Sequence, residues 1–159
     1  MRVRLLPSGG VGDPRGQYLT SFIINDSMAI DAGSLVLGIN RLSQLLIRKV
    51  VITHSHLDHH VGLPLLLDNI FSDMSECVTV YSTEETIDAL KNHIFNNLIW
   101  PDFSSFSNSN GASLKFEVVE PYRCFAVDEL KLTLVPVNHT VPTVGLILED
   151  RHSAIAISS

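Results

Sequence analysis

The chain reads as a mixed α/β domain built in layers, and three observations carry that expectation. Short strand-like runs open the sequence, helical patterns alternate with strands through its middle, and four strand-like runs close it. With 45% hydrophobic and 18% charged residues, a chain of 159 residues suffices for a sizeable core. No internal repeat and no low-complexity tract beyond a short Ser/Asn loop divides it, so one domain is expected over residues 1–159.

The opening "RVRLL" alternates as a strand does and ends at "PSGGVGDPRG", whose Gly and Pro residues make a loop. "YLTSFIIN" and "MAIDAG" are short apolar segments separated by "DS", the pattern of a hairpin. "INRLSQLLIRK" carries Ile39, Leu42, Leu45 and Leu46 at helical spacing, and "VVIT" reads as a buried strand. "GLPLLLDNIF" predicts a helix and "CVTVYS" a strand. "STEETIDALKNHIF" predicts a second helix opened by Ser82 or Thr83, with acidic residues in its first turn. "PDFSSFSNSNG" is a polar loop, after which "LKFEVVE", "LKLTLVPV", "TVGLILED" and "SAIAISS" read as strands. An apolar strand reaching the last residue, Ser159, gives the expectation of a domain cut short at its C-terminus.

Eleven Lys and Arg against seventeen Asp and Glu give a net charge of −6, and the longest basic stretch is Arg48-Lys49. A phosphate-tracking surface is absent from that pattern, so no nucleic-acid partner is expected. Neither a secretory apolar stretch nor a run of the roughly 18 residues that a membrane span needs is present, and the chain reads as cytoplasmic with no membrane partner. Cys77 and Cys124 lack CxxC spacing and read as small core residues.

Residues 53–60, "THSHLDHH", hold four of the seven histidines. Imidazole nitrogens and carboxylate oxygens are zinc ligands, and a site needs several converging from a rigid support, here the strand "VVIT". His54 and His56 lie two apart at its end, so extended backbone turns both to one side, while Asp58 and His59 fall at the turn into the next helix. One loop thus supplies two neighbouring ligand sets. A polar loop with histidines gathered by chance is the bland alternative, and the spacing H-x-H-x-D-H argues against it. A distant ligand is still required, and His139 in "PVNHTVP", just after a strand, is the candidate; His93 and His152 have weaker claims. His60 falls outside the pattern and serves packing or supports a ligand.

With strand, "THSHLDH", helix and a later strand-borne histidine in place, the chain resembles the metallo-β-lactamase superfamily. The resemblance implies a four-layer αββα sandwich with two divalent metals between two β-sheets, zinc or alternatively manganese. By position, His54, His56 and His139 would hold the first metal, and Asp58 and His59 would contribute to the second. Asp31 in "AIDAG" matches the buried aspartate that orients a ligand, with a turn residue before Gly33 as the equal alternative. Thr140 would orient His139.

"SGGVG", "TSFIIND" leading to "IDAG", "THSHLDHHVGLPLLLDN", "ALKNHIFNNLIWPDFS" and "PVNHTVPTVGLILE" are further similar to class II cyclic-nucleotide phosphodiesterases of the bacterial type, in order from residue 8 to residue 149. This implies hydrolysis of cAMP or cGMP to the 5′-nucleotide. A water activated by the metals would attack phosphorus in line with the 3′ oxygen, Asp58 would take its proton, and His60 is one guess for the proton source of the leaving oxygen. Family members continue into a Gly-Asp-Thr turn and a later histidine that this chain lacks, so the resemblance implies an incomplete domain. "NHIFNNLIWPDF" offers Asn96, Trp100 and Asp102 as the rim of a purine pocket, with Phe95 and Ile99 in the core beneath, and "SGGVG" would line its entrance. A homodimer is left open. The rivals are another hydrolase of the superfamily, such as a tRNA 3′-end endonuclease or a phosphorylated-choline esterase, and a metal-binding remnant without catalysis.

Overall fold

A computed structural model describes residues 1–8 and 18–158; most of "SGGVG" lies outside the described residues. Among these, the strands form two large sheets. The first begins with the antiparallel strands β1 (Val3–Leu5), β2 (Phe22–Ile24) and β3 (Met28–Ile30). It continues in parallel through β4 (Lys49–Val51), β5 (Val78–Ser82) and β8 (Leu114–Val118). Between β5 and β8 the polar loop folds a small hairpin, β6 (Ser107–Asn108) with β7 (Gly111–Ala112). The second sheet is antiparallel, in the order β12 (Ala154–Ile157), β11 (Thr143–Glu149), β10 (Leu130–Val137), β9 (Cys124–Val127).

Alternation decides the layers. Ile23, Ala29, Val50 and Ile52 turn one way and pack under the helices α1 (Leu35–Gly38), α4 (Gly62–Ile70) and α5 (Glu84–His93), through Leu35, Leu63, Leu66, Leu67 and Leu90. Ile24, Ile30 and Val51 turn the other way and meet Leu132, Leu134, Leu146 and Leu148 of the second sheet. With both faces buried, β3 and β4 read as the continuous apolar runs seen in the sequence. Truncating one of these fully buried leucines to alanine costs about 2–5 kcal/mol. Helix, sheet, sheet is three of the four expected layers; among the described residues no helix covers the outer face of the second sheet. Among the described residues no helix is long and apolar enough to cross a membrane.

Three local expectations are corrected. The run from Ile39 to Lys49 forms only the single turn α2 (Arg41–Gln44): Asn40 Oδ1 accepts from Ser43 N (2.9 Å) and fixes its start, and the parallel strand that begins at Lys49 leaves no room to extend it. Leu42 and Leu46 consequently face solvent, while Ile39 and Ile47 are buried. Strand β9 has no counterpart in the sequence reading: Asp128 and Glu129 make the hairpin turn, with Asp128 at φ 53°, where Asp-Gly would have given a stronger signal. Cys124 is exposed on β9 rather than in the core, Cys77 is partly buried, and both thiols are free.

Candidate metal centre

The parallel strands β3 and β4 end side by side, and their C-terminal ends carry the site, the position at which open α/β sheets bind ligands. Asp31 follows β3 and accepts from Thr53 N at 2.8 Å. After β4 the chain runs through Thr53 and His54 to His56, which precedes the one-turn helix α3 (Leu57–His60). The second sheet joins here too: Val144 N on β11 donates to Thr53 O at 3.1 Å, bringing the end of β10 and His139 over the loop.

Close backbone approach fixes this loop. Thr20 N donates to Asp58 O (3.0 Å), Ala32 N to His59 O (2.6 Å) and Gly33 N to Thr20 O (2.9 Å). A Cβ on Gly33 would lie 1.8 Å from Asp58 O, and one on Gly62 would lie 2.2 Å from Ala32 O. Both positions therefore require glycine for space rather than for backbone conformation.

His54, His56 and His139 converge, with one ligand atom from each lying within 4.8 Å of the others. His56 Nδ1 stands 3.2 Å from His54 Nε2 and 3.1 Å from His139 Nε2. Nitrogens bound to one tetrahedral zinc at 2.0–2.1 Å lie about 3.3 Å apart, so the two separations from His56 Nδ1 suit such an ion. A ring nitrogen has a single lone pair or proton to offer and satisfies one neighbour, whereas a cation satisfies all three. Burial, followed by the charges of His59, His56 and His139, lowers the His54 pKa to about 4, which keeps its lone pair available at neutral pH.

Thr53, unremarked in the sequence, organises the ligands. Its Oγ1 lies 3.0 Å from each Asp31 carboxylate oxygen and 2.9 Å from His54 Nδ1, so His54 turns Nε2 toward the cluster. Asp31 Oδ2 meets His59 Nδ1 at 2.7 Å, leaving His59 Nε2 facing Asp58 Oδ2 at 3.4 Å. Burial pushes the Asp31 carboxyl up; burial would lower His59, but Asp31 and Asp58 outweigh it and push the imidazole up. Both shifts hold a proton between Asp31 and His59 Nδ1. Asp31 sits at φ 56°, a left-handed conformation that an aspartate tolerates. Asp31 stands out in "AIDAG", equally as a ligand-orienting aspartate or a turn residue; for Thr53 the only sequence signal is a polar residue before "HSH".

Other expected residues fall differently. Thr140 Oγ1 lies 3.4 Å from His56 Nε2, so its contact is with His56 and not with His139. His60 is buried, and its Nε2–H donates to Ser55 O at 3.1 Å; burial lowers its pKa. It turns away from the cluster and lines an apolar cavity with Leu57 and Trp100, so it is not available there as a proton source. Asn96 Oδ1 accepts from Leu98 N and Ile99 N, and Asp102 Oδ1 accepts from Ser104 N and Oγ, so both acceptors are engaged within their own loop. Phe95 is buried as expected, but Ile99 is 62% exposed because that loop turns it outward. His93 ends α5, His152 lies in the turn between β11 and β12, and neither joins the cluster.

Residues 21–155 match the family described as cAMP phosphodiesterases class-II. A probable 3′,5′-cyclic-nucleotide phosphodiesterase of Yersinia pestis is 31% identical over 86% of this chain and 47% of its own. A ribonuclease Z of Pyrococcus horikoshii is 27% identical over 95% of this chain and 48% of its own. The chain thus spans about half the length of these relatives. Among solved structures, unliganded yeast PDE1 superposes with a TM-score of 0.74 at 20% identity, covering 97% of this chain and 63% of that chain. The fold is shared with metallo-β-lactamase-fold proteins, including one from Bacillus subtilis (TM-score 0.71, 14% identity, 97% of this chain and 61% of that one).

Proposed function

Because the chain belongs to the family of class-II cAMP phosphodiesterases, we propose that it hydrolyses 3′,5′-cyclic nucleotides to 5′-nucleotides at the histidine cluster, with cAMP as first substrate and cGMP as second. The observation that carries this reading is the meeting of three imidazole nitrogens, His54 Nε2, His56 Nδ1 and His139 Nε2, beside Asp58 and His59. His54, His56 and His139 would hold one divalent ion, zinc or alternatively manganese, and Asp58 with His59 Nε2 would contribute to a second. Such ions supply Lewis-acid polarisation of the phosphate and a water activated near neutral pH.

The chain's own residues do the rest. Thr53 and Asp31 fix the ring orientations of His54 and His59, so the ligand nitrogens need no reorganisation when substrate arrives. Hydrolysis joins a water oxygen to phosphorus and breaks the bond to the 3′ oxygen, leaving a 5′-phosphate. Asp58, half-exposed at the mouth of the cluster, takes the proton of that water, and solvent returns one to the 3′ oxygen.

The test is metal-dependent conversion of 3′,5′-cAMP to AMP by the purified chain, with His56→Ala as the blank. Turnover absent from the blank supports the reading; none from a folded chain that binds zinc would sink it for this chain alone. The likeness to a ribonuclease Z makes a linear RNA 3′-end diester the second substrate to offer, and preference for it would move the assignment. Sedimentation in the same buffer reads whether a homodimer forms.

A further inference from the structure

We propose that Thr140 is a positioning residue of the metal centre: His56 Nε2–H donates to its hydroxyl, which holds that ring in the tautomer whose Nδ1 lone pair faces the cluster. This rests on the metal-binding part of the reading above and not on the substrate.

Residues 139 and 140 close on His56 from two sides. His139 Nε2 stands 3.1 Å from His56 Nδ1, and Thr140 Oγ1 stands 3.4 Å from His56 Nε2. Both nitrogens of one ring therefore meet a single dipeptide, which arrives from the end of β10 in the second sheet. A neutral imidazole carries its proton on one nitrogen and its lone pair on the other, and the partner of the first decides which is free. His56 turns Nδ1 inward, since that atom also lies 3.2 Å from His54 Nε2. The ring proton then belongs on Nε2, where Thr140 Oγ1 is placed to accept it.

The same device recurs at the neighbouring ligand with the nitrogens exchanged. Thr53 Oγ1 lies 2.9 Å from His54 Nδ1, and Nε2 is the atom that faces inward. Two ligands two residues apart thus present opposite nitrogens, each with a threonine hydroxyl behind it. Thr53 follows β4 of the first sheet and Thr140 follows β10 of the second, so the sheets hold one ring each.

The turn that carries Thr140 is braced. Thr143 Oγ1 donates to Val141 O at 2.8 Å, and Val144 N donates to Thr53 O at 3.1 Å. A branched β-carbon restricts χ1, so backbone fixed in this way also aims the hydroxyl. Docking of β10 and β11 on the loop therefore seats one ligand, His139, and the support of another in a single step.

Thr140 is exposed, so exchanging it leaves the core alone. Thr140→Val removes the hydroxyl and keeps the branched shape; Thr140→Ser keeps the hydroxyl. Zinc affinity, read by competition with a chromophoric chelator, should fall about tenfold in Thr140→Val, the low end of the range for a lost supporting contact because the bond is long. Thr140→Ser should recover most of that loss, and the urea midpoint of the metal-free chain should stay put in both. Long-range proton–nitrogen spectra of the neutral rings, with His56 assigned by its loss in His56→Asn, should show the Nε2–H form in the wild type and a shift toward the other tautomer in Thr140→Val. Wild-type affinity in Thr140→Val, equal losses in both variants, or an unmoved His56 signal overturns the proposal. Metal-dependent cAMP hydrolysis alongside equal zinc binding by all three chains overturns it while the phosphodiesterase reading stands. Hydroxyl-dependent zinc binding without cAMP hydrolysis does the reverse.

Discussion

Replacing Gly33 with alanine tests whether backbone contact, rather than any ligand, sets the geometry of the cluster. The added Cβ would lie 1.8 Å from Asp58 O and 2.9 Å from Thr20 N, against the 3.0 Å below which real Cβ contacts essentially do not occur. The neighbour is backbone, so no rotamer relieves it, and the Asp58 segment must retreat by more than 1 Å. That movement breaks the 3.0 Å bond from Thr20 N and strains the 2.6 Å bond from Ala32 N to His59 O. Two backbone hydrogen bonds at about 1 kcal/mol each put the loss of stability near 2 kcal/mol. Displacing a ligand set by that distance should weaken zinc binding by roughly 10–100-fold, the range seen when supporting contacts are lost. Competition against a chromophoric chelator reads the affinity, and urea unfolding of the metal-free chain reads the stability. Leu42→Ala, on the exposed face of α2, is the control. Zinc affinity and urea midpoint both at wild-type values in Gly33→Ala would refute the reasoning.

Asp31→Asn keeps the left-handed backbone at that position but removes the charge that holds the His59 proton, so zinc affinity should fall about 10–100-fold with little change in fold; unchanged affinity would deny Asp31 its orienting role. In the metal-free chain the His54 pKa is lowered from about 6.5 to about 4, so the stability it carries is complete above pH 6.5 and is lost as pH falls toward 4, on the order of 3 kcal/mol. Urea midpoints across that window should decline in the wild type and decline less in His54→Asn; parallel curves would count against it. His59, pushed the other way, stabilises below pH 6.5 and ceases to do so as pH rises through its raised pKa. Cys124, exposed on β9, should react with a thiol reagent well before Cys77, whose partial burial pushes its thiol up; equal rates would place β9 wrongly.

Much of this centre is legible in eight letters because metal ligation uses few residue types at fixed spacing. β4 ends at Val51, and it is the bent loop after it, rather than strand alternation, that brings His54 and His56 together, with Asp58 and His59 on the helical turn that follows. His139 could be nominated only as a histidine after a strand; what brings it to the loop is the bond from Val144 N to Thr53 O, a contact between sheets that no local pattern encodes. The same holds for Thr53, whose hydroxyl touches Asp31 from 22 positions away. Strand β9 and the single turn α2 were misjudged where tertiary demands override local preference: the apolar spacing alone would have extended α2, but pairing with β3 requires strand from Lys49.

The four residues of α3 divide two tasks between its faces, and that division explains why "LDHH" cannot be read as one function. Asp58 and His59 face the ligands, held by Asp31; Leu57 and His60 face the apolar cavity, with His60 held by Ser55 O. Each histidine is fixed by an acceptor taking one ring proton, yet the acceptors differ in charge, and so do the outcomes. The carboxylates of Asp31 and Asp58 push His59 up, whereas the neutral carbonyl leaves burial to push His60 down. Adjacent imidazoles in one turn therefore sit in opposite surroundings: His59 stands between two carboxylates beside the cluster, and His60 packs beside an apolar cavity. Because the turn is rigidly bonded to Thr20 and Ala32, a change that tilts it moves both faces together. Variants of Gly33 or Gly62 should accordingly weaken zinc binding and shift the Trp100 emission in parallel, while Leu65→Phe should change the emission alone.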